Sequence, residues 1–543
     1  MRTGSVVTTT LYPAPVTLRS LTAERLLALS AFVVGVMGIV SAARPPMADR
    51  LRLMGGVLPP GWPEGARVLT MACAIGLIFL ARSLWKRKHR AWQLAVLVVV
   101  ASAVAHLAKG LDFEEATISF AFLVALLWWR NRFDVPGDPA TVRLGLGLFA
   151  ALTAIVAFVL VVEIPGHDLP NRAADALTAV GIVLGFAALY FWLRPFGQVV
   201  AQSVGERRVA RALVETYGTD SLSFFALRRD KSYLFSPTRR AFLAYRVVGG
   251  TALVSGDPVG EECEIDALLA ELQSLARAHG WRLAVVGASE HHLPRYRALG
   301  LKAIPMGEEA VLRPDEFSLE GRAIRKVRQS VSRLQKAGYT FRVLAADDVS
   351  PELEQELGEV SAAWRGDQPE RGFSMTIDDL HVPGTVLAVA ADEDGRVGGF
   401  LHLAPSPAGG GWSLSTMRRR PDSPNGLTEF LIVETVEWAK AQGASELSLN
   451  FCAFTDVISP ERATTLPKRL LRRILLAADN VFQLERLYSF NRKFFPEWRR
   501  RYVCIERYVD IPAVGLAYLH AESLLMPPGP WTRRREARRR VAA

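Results

Sequence analysis

Cysteine is scarce. Cys73, Cys263, Cys452 and Cys504 are the four in 543 residues, and they lie far apart with no C-x-x-C pair. That excludes a disulfide framework and fits a reducing compartment for the soluble part of the chain. Histidine is thin too, at nine. His291, His292, His381, His402 and His520 lack metal-ligand spacing, and no H-E-x-x-H, Walker A or G-x-S-x-G string occurs. Zinc-hydrolase, ATPase and serine-hydrolase chemistries are therefore not expected, nor any metal or cofactor. Charge is low for a soluble enzyme, with 22% of residues charged and half hydrophobic. This balance excludes a disordered chain and places part of it in lipid. At roughly 150 residues per domain the length predicts about three or four folding units. A net charge of +11 favours anionic partners, phospholipid headgroups or nucleic acid, without choosing between them.

Long apolar runs occupy the first 200 residues. Six candidate spans are read, Leu26 to Ala43, Val68 to Leu84, Trp92 to Leu107, Thr117 to Trp129, Leu144 to Val162 and Leu177 to Leu193, and a count of five stays open because several fall short of about 20 residues. The first reads as a signal anchor because further runs follow it. Basic residues concentrate between Arg82 and Arg90 and at Arg130, Arg132 and Arg143, whereas Asp112 to Glu115 is acidic. Both termini are accordingly expected in the cytoplasm, although Arg44, Arg50, Arg52 and Arg67 lie in the first outer loop. His106 is the main ionisable residue within a span, read as a hydrogen-bonded core histidine ahead of a proton relay.

After Arg194 the pattern changes to alternating strands and amphipathic helices. Short β-rich runs at 232–236, 241–248 and 251–255 precede a helix at 264–279, a strand at 282–287, a short helix near 292–299 and a strand from Leu301. The same order recurs with a helix at 351–364, strands at 385–391, 397–403 and 412–417, a helix at 427–441, a strand at 446–451 and a last strand at 501–506. The expected fold is a multi-pass α-helical membrane domain followed by an α/β tandem GNAT-like (acyltransferase) domain. Its parts are a membrane domain at 1–200, two GNAT-like subdomains at 205–318 and 339–515, a basic linker helix at 319–338 and a basic tail at 527–543. In the linker, Ile324, Val327, Val331 and Leu334 form one apolar stripe, and Arg322, Arg325, Lys326, Arg328, Arg333 and Lys336 crowd the remainder.

Three stretches resemble the C-terminal domain of the phosphatidylglycerol lysyltransferase (multiple peptide resistance factor) family. They are SYLFS at 232–236 with FLAYR at 242–246 and GDPVG at 256–260; MRRRPDSPNGLTEFL at 417–431 with SLNFCAF at 448–454; and LYSFNRKFFPEW at 487–498 with Arg501 and Tyr502. The resemblance spans about Gly205 to Asp510. It implies transfer of an amino acid, lysine or another, from aminoacyl-tRNA to phosphatidylglycerol or another anionic phospholipid at the cytoplasmic face of a bacterial-type inner membrane, with resistance to cationic peptides as the consequence. Self-association is left open. The chain departs from the family in three ways. The membrane part is shortened, which puts product flipping in doubt; no lysyl-tRNA synthetase module follows the transferase; and Ser415 stands where the family usually has an acid before the Met-Arg step.

Such a transesterification needs positioning, oxyanion and phosphate donors, and a proton acceptor. Arg418 and Lys493, from separate motifs, are the candidates for the phosphate or oxyanion role, against a plain reading as surface or structural cations. Glu429 is the candidate amino-group anchor or base, against helix capping. Asp257, Asn450, Tyr488 and Asn491 are candidate substrate-binding residues; the GDPVG string around Asp257 also reads as a structural turn, and Asn450 as a satisfier of buried backbone. Arg322, Arg325, Lys326, Arg328, Arg333 and Lys336 would meet tRNA or lipid phosphates. Two alternatives stay open, an acyltransferase with another donor and a membrane scaffold that has lost catalysis.

Overall fold

Apolar side chains on all sides of a helix suit a lipid solvent, and the first helices of the computed structural model follow that rule. It describes residues 22–43, 62–110, 112–135 and 202–525, with gaps within 367–378 and 454–483, and a few helical positions between 147 and 192. The chain divides into two compact units, 1–196 and 197–543. The expected spans at 144–162 and 177–193 and the basic tail lie essentially outside the described residues.

In the first unit α1 (Ala23–Ala43), α2 (Trp62–Trp85), α3 (His89–Gly110) and α4 (Phe113–Trp128) pack in sequence, with α1 also on α4. Among the described residues, three helical segments, Ala23–Ala43, Ala66–Trp85 and His89–Leu107, are long and apolar enough to cross a membrane. α4 has 16 residues. Small residues set the spacing of α1 and α2. A Cβ on Gly35 would meet the Ala74 carbonyl oxygen at 2.7 Å, and one on Gly38 the Ala74 Cβ at 2.9 Å, so close backbone approach replaces the hydrophobic drive that lipid removes. His106 is buried. The turn between α2 and α3 and the chain leaving α4 are zipped together: Lys88 bridges Val135, Arg87 Nη2 meets Asp134 Oδ2 at 2.7 Å, and His89 Nδ1 lies 3.0 Å from the Phe133 carbonyl. Arg25, at the start of α1, stacks on Trp85. One end of the helical unit therefore gathers most of its described basic residues, while Arg67 bonds the Ala42 carbonyl at the other end.

The second unit opens with α5 (Val204–Tyr217), entered through a capping box in which Ser203 and Glu206 satisfy each other's backbone N–H. Next come β1 (Ser232–Phe235), β2 (Ala241–Val248), β3 (Thr251–Ser255), β4 (Val259–Gly260), α6 (Glu262–Ala278), β5 (Arg282–Ala288), α7 (Leu293–Ala298) and β6 (Lys302–Leu312). A second run follows: α8 (Arg325–Lys336), β7 (Thr340–Ala345), α9 (Pro351–Arg365), β8 (Val386–Ala391), β9 (Val397–Ser406), β10 (Gly411–Arg419), α10 (Leu427–Ala441), β11 (Glu446–Ala453), α11 (Leu484–Asn491), β12 (Glu497–Ile505) and α12 (Ile511–Ala521).

All twelve strands join one sheet, in the order β1-β2-β3-β5-β12-β6-β11-β10-β9-β8-β7 with β4 on β2. The halves are exchanged at the centre: β12, from the second run, pairs with β5 of the first, and β6 pairs with β11 of the second. Both exchanged strands are longer than the apolar pattern predicted, because β6 carries Glu308 and Glu309 where β12 carries Arg500 and Arg499 in register. Paired charges hide a strand from a hydropathy reading. In the second half α8 and α10 cover one face over Leu401, Leu403, Leu414 and Leu447, and α9 covers the other over Leu387, Val389 and Phe400.

Candidate active site

Each half contains one parallel step. In the first, β3 and β5 stay paired over five positions, from Thr251 opposite Arg282 to Ser255 opposite Val286. Beyond it Asp257 acts as a clasp: Oδ1 accepts from the Tyr296 hydroxyl at 2.8 Å and Oδ2 from the Ser289 N–H at 3.0 Å. Tyr296 is fully buried, and burial, helped by the Asp257 charge, pushes its hydroxyl well above the usual tyrosine range.

The second step parts sooner. β10 and β11 pair over three positions, ending with Ser413 opposite Ser448. β10 then runs on to Arg419 against β9 alone, through an irregularity at Leu414 to Thr416, while β11 turns onto β6. Two strands that separate while one continues leave a wedge between them. Asn450 braces its apex from a left-handed conformation (φ 70°), donating from Nδ2 to the Leu414 carbonyl at 2.6 Å while its Oδ1 accepts from the Phe451 N–H at 2.8 Å. Ser415, on the β10 side, accepts through Oγ from the Ile377 N–H at 2.9 Å.

Two of the three candidate catalytic residues meet. Lys493 Nζ lies 2.8 Å from Glu429 Oε1, with the lysine half exposed and the glutamate side chain 15% exposed, although 64 residues separate them. The 3-10 turn after α11 brings Lys493 there, and the first turn of α10 brings Glu429. The Phe490 ring lies 5.0 Å from the ammonium. Arg418 sits elsewhere, its guanidinium 4.4 Å from the Trp364 ring. It stands opposite Phe400, which belongs to the α9 face, whereas Met417 opposite Leu401 belongs to the α10 face. Of the substrate-binding candidates, Tyr488 stacks near Trp498, and the buried Asn491 donates from Nδ2 to Cys452 Sγ at 3.4 Å. Asp257 belongs to the first half, away from this group in the sheet order.

On α8 the stripe Ile324, Val327, Val331 and Leu334 is buried, and Arg322, Arg325, Lys326, Arg328, Arg333 and Lys336 are exposed. Arg333 Nη2 donates to the Asn425 carbonyl at 2.5 Å, and Arg328 to the Leu319 and Gly321 carbonyls. The approach is close at Gly426 (φ 96°), where a Cβ would fall 2.6 Å from Ser330 Cβ, so glycine is required at the entry to α10. A cavity of about 860 Å³ beside the start of α8 is lined by Arg313, Asp315, Phe317, Arg322, Phe494 and Phe495, among others.

A buried charge cluster went unread in the sequence. Arg501, 3% exposed on β12, places Nε 3.0 Å and Nη2 2.5 Å from Glu309 Oε2 of β6, and Nη1 2.7 Å from Asp220 Oδ2. Ser221 and Ser448 each donate to Glu309 Oε1 at 2.5 Å. Burial alone would raise Glu309; the Arg501 charge and the two hydroxyls outweigh it and hold the carboxyl below its usual range. Asp220 goes the other way, raised by burial against the pull of Arg501. Arg501 was visible only as the end of a motif; its acidic partners are 192 and 281 residues away.

Contrary to the spacing argument, Glu262, His291 and His292 bring three ligand-type atoms within 4.8 Å of one another. A cation is already there: Arg295 Nη2 reaches Glu262 Oε2 at 2.5 Å, and its Nη1 lies 3.3 Å from His292 Nδ1.

A doubled mixed sheet, each half opening at one parallel step, defines a tandem GNAT-like (acyltransferase) fold. The chain belongs to the family of the phosphatidylglycerol lysyltransferase C-terminal domain, whose model matches residues 211–505. It is 33% identical over 526 residues to the lysylphosphatidylglycerol biosynthesis bifunctional protein LysX of Rhodococcus jostii, covering 94% of this chain and 41% of that protein. With the LysX protein of Mycolicibacterium gilvum it shares 35% over 507 residues, 84% of this chain and 46% of that protein. The chain thus spans less than half the length of these relatives. Among solved structures it is similar to L-PGS from Bacillus licheniformis, with TM-score 0.53 and 25% identity over 58% of this chain and 96% of that one.

Proposed function

We propose that this protein transfers an amino acid from aminoacyl-tRNA to phosphatidylglycerol or a related anionic lipid at the cytoplasmic face of a membrane. The observation that carries the reading is the wedge between β10 and β11, with the Lys493–Glu429 pair contributed by the flanking motifs. The glycerol hydroxyl of the lipid attacks the aminoacyl ester carbonyl; a new ester C–O bond forms, the bond to the tRNA ribose breaks, and the proton passes from the glycerol to the ribose oxygen. Lys493 offers an ammonium to the lipid phosphate or the developing oxyanion, and Glu429 fixes it in place. Arg418, stacked on Trp364, would take a phosphate on the other face.

The five exposed cations of α8, with Arg322 just before it, support a tRNA donor through acceptor-stem phosphates. The basic end of the helical unit, read by the positive-inside rule, supports a cytoplasmic location for it. Relatives named for lysylphosphatidylglycerol biosynthesis support lysine. Ser415 supports a different amino acid or a silent scaffold, because its hydroxyl is engaged by Ile377 and supplies no charge for a second ammonium.

The test is lipid mass spectrometry in a host that lacks aminoacylated lipids, expressing the chain or its Lys493→Ala, Arg418→Ala variant. A new aminoacyl lipid with the intact chain alone establishes the reaction and names the amino acid. Membrane-inserted protein with no new lipid refutes it, and RNase-resistant activity in extracts would assign another donor.

A further inference from the structure

The last described helix of the second unit is apolar apart from Tyr518 and the exposed His520 near its end, yet only one side of it is covered. Val514, Ala517 and Ala521 of α12 are buried with Leu253, Ala284 and Val286 of the first half of the sheet. The opposite side presents Ile511, Pro512 and Leu516, with Leu516 60% exposed. The preceding turn extends it through Tyr508, 58% exposed, and Val509, 72% exposed. A contiguous apolar patch of this kind on a soluble unit marks a surface made for something other than water.

The charges around it favour one occupant. The acids at both ends of α12 are turned inward: Asp510 is buried between Arg507 and Arg282, and the buried Glu522 accepts from the Phe373 N–H. The cations stay on the rim, with Lys302 Nζ 4.8 Å from the Tyr508 ring and the Arg507 side chain half exposed. Shortly after α12 the sequence reads RRREARRR at 533–540, six arginines against one glutamate. Apolar residues flanked by cations are what an anionic bilayer interface accepts, whereas a second copy of this chain would bring the same positive rim against itself.

We propose that the outward side of α12, with the 508–511 turn, inserts into the interfacial zone of an anionic bilayer, with Lys302 and Arg507 facing the headgroups. This goes beyond the proposed transfer reaction and does not need turnover, so the two can fail separately.

The test uses the full chain in a Cys263→Ser background, reconstituted in vesicles of phosphatidylcholine and phosphatidylglycerol. An environment-sensitive fluorophore is placed at Leu516→Cys, at Val509→Cys, or, as control, at Glu271→Cys on the exposed side of α6. Lipids with spin-labelled acyl chains are expected to quench the labels at 516 and 509 by about twofold or more and to spare the label at 271. Vesicles of phosphatidylcholine alone should reduce that quenching. Labels at 516 and 509 that lipid does not quench overturn the proposal, and so does crosslinking of the 516 position between two copies.

Discussion

The two halves of the sheet share one device, a parallel strand pair that must part, and they use it differently. In the first half the pair holds for five positions, and Asp257 then ties the gap shut to Tyr296 and Ser289. In the second it parts after three, β10 runs on without β11, and an ammonium and a carboxylate from two distant motifs meet nearby. One architecture thus yields a clasped scaffold and an open site. The difference lies in which side chains satisfy the groups that parting strands release: a part-buried carboxylate bonded to a buried hydroxyl fixes the first half, whereas in the second Asn450 braces the apex through the Leu414 carbonyl.

The largest effect should come from the residue that binds the halves together. Arg501→Met leaves the buried Glu309 and the part-buried Asp220 without their cation, and chemical denaturation of the purified chain should show a loss of about 3–5 kcal/mol. Stability close to the parent would mean that the strand exchange stands without the cluster. Next, the halves should separate by phenotype. Glu429→Gln is expected to lower lipid aminoacylation about 100-fold with the melting temperature nearly unchanged. Asp257→Ala should leave turnover largely intact and cost about 1–3 kcal/mol, the penalty of a buried tyrosine hydroxyl without its acceptor. The reverse pattern would exchange the roles assigned to the two steps.

A third effect is confined to the second half. Burial beside Thr385 lowers His402 to about 4. The unfolded chain, with a histidine near 6.5, therefore binds the proton more tightly than the folded one. Stability is full above pH 6.5 and is lost as pH falls toward 4, by roughly 2 kcal/mol at pH 5. Denaturation midpoints of the parent and a His402→Gln variant at pH 7 and 5 would check it; equal slopes would assign the dependence to other groups. The smallest effect concerns α8. Lys326→Ala should weaken tRNA binding modestly and lower the slope of log affinity against log salt by about 1. An unchanged slope would remove that lysine from the phosphate contacts.

Much of the fold was legible because local patterns agreed with their tertiary use. The Ile324, Val327, Val331 and Leu334 stripe predicted a helix packed on one side, and the structure buries all four. Strands such as β2 and β9 announced themselves as apolar runs ended by turns. β6 and β12 did so only partly, because Glu308, Glu309, Arg499, Arg500 and Arg501 interrupt the apolar signal and find their meaning in one another across the sheet. At the candidate site, motif resemblance singled out Lys493 and Glu429 separately; their contact depends on α10 and the turn after α11 packing at the same end of the sheet.

What the sequence determined by itself was local: apolar spans suited to lipid, amphipathic helices, and the cationic side of α8. These follow from side-chain chemistry at short spacing, where each residue's preference acts on its neighbours. The tertiary structure alone decided the strand exchange, the Arg501 cluster, the early parting of β10 from β11 and the outward side of α12. Each depends on hydrogen bonding, charge pairing or burial between residues far apart in the chain, and such long-range partners exist only once the sheet has formed.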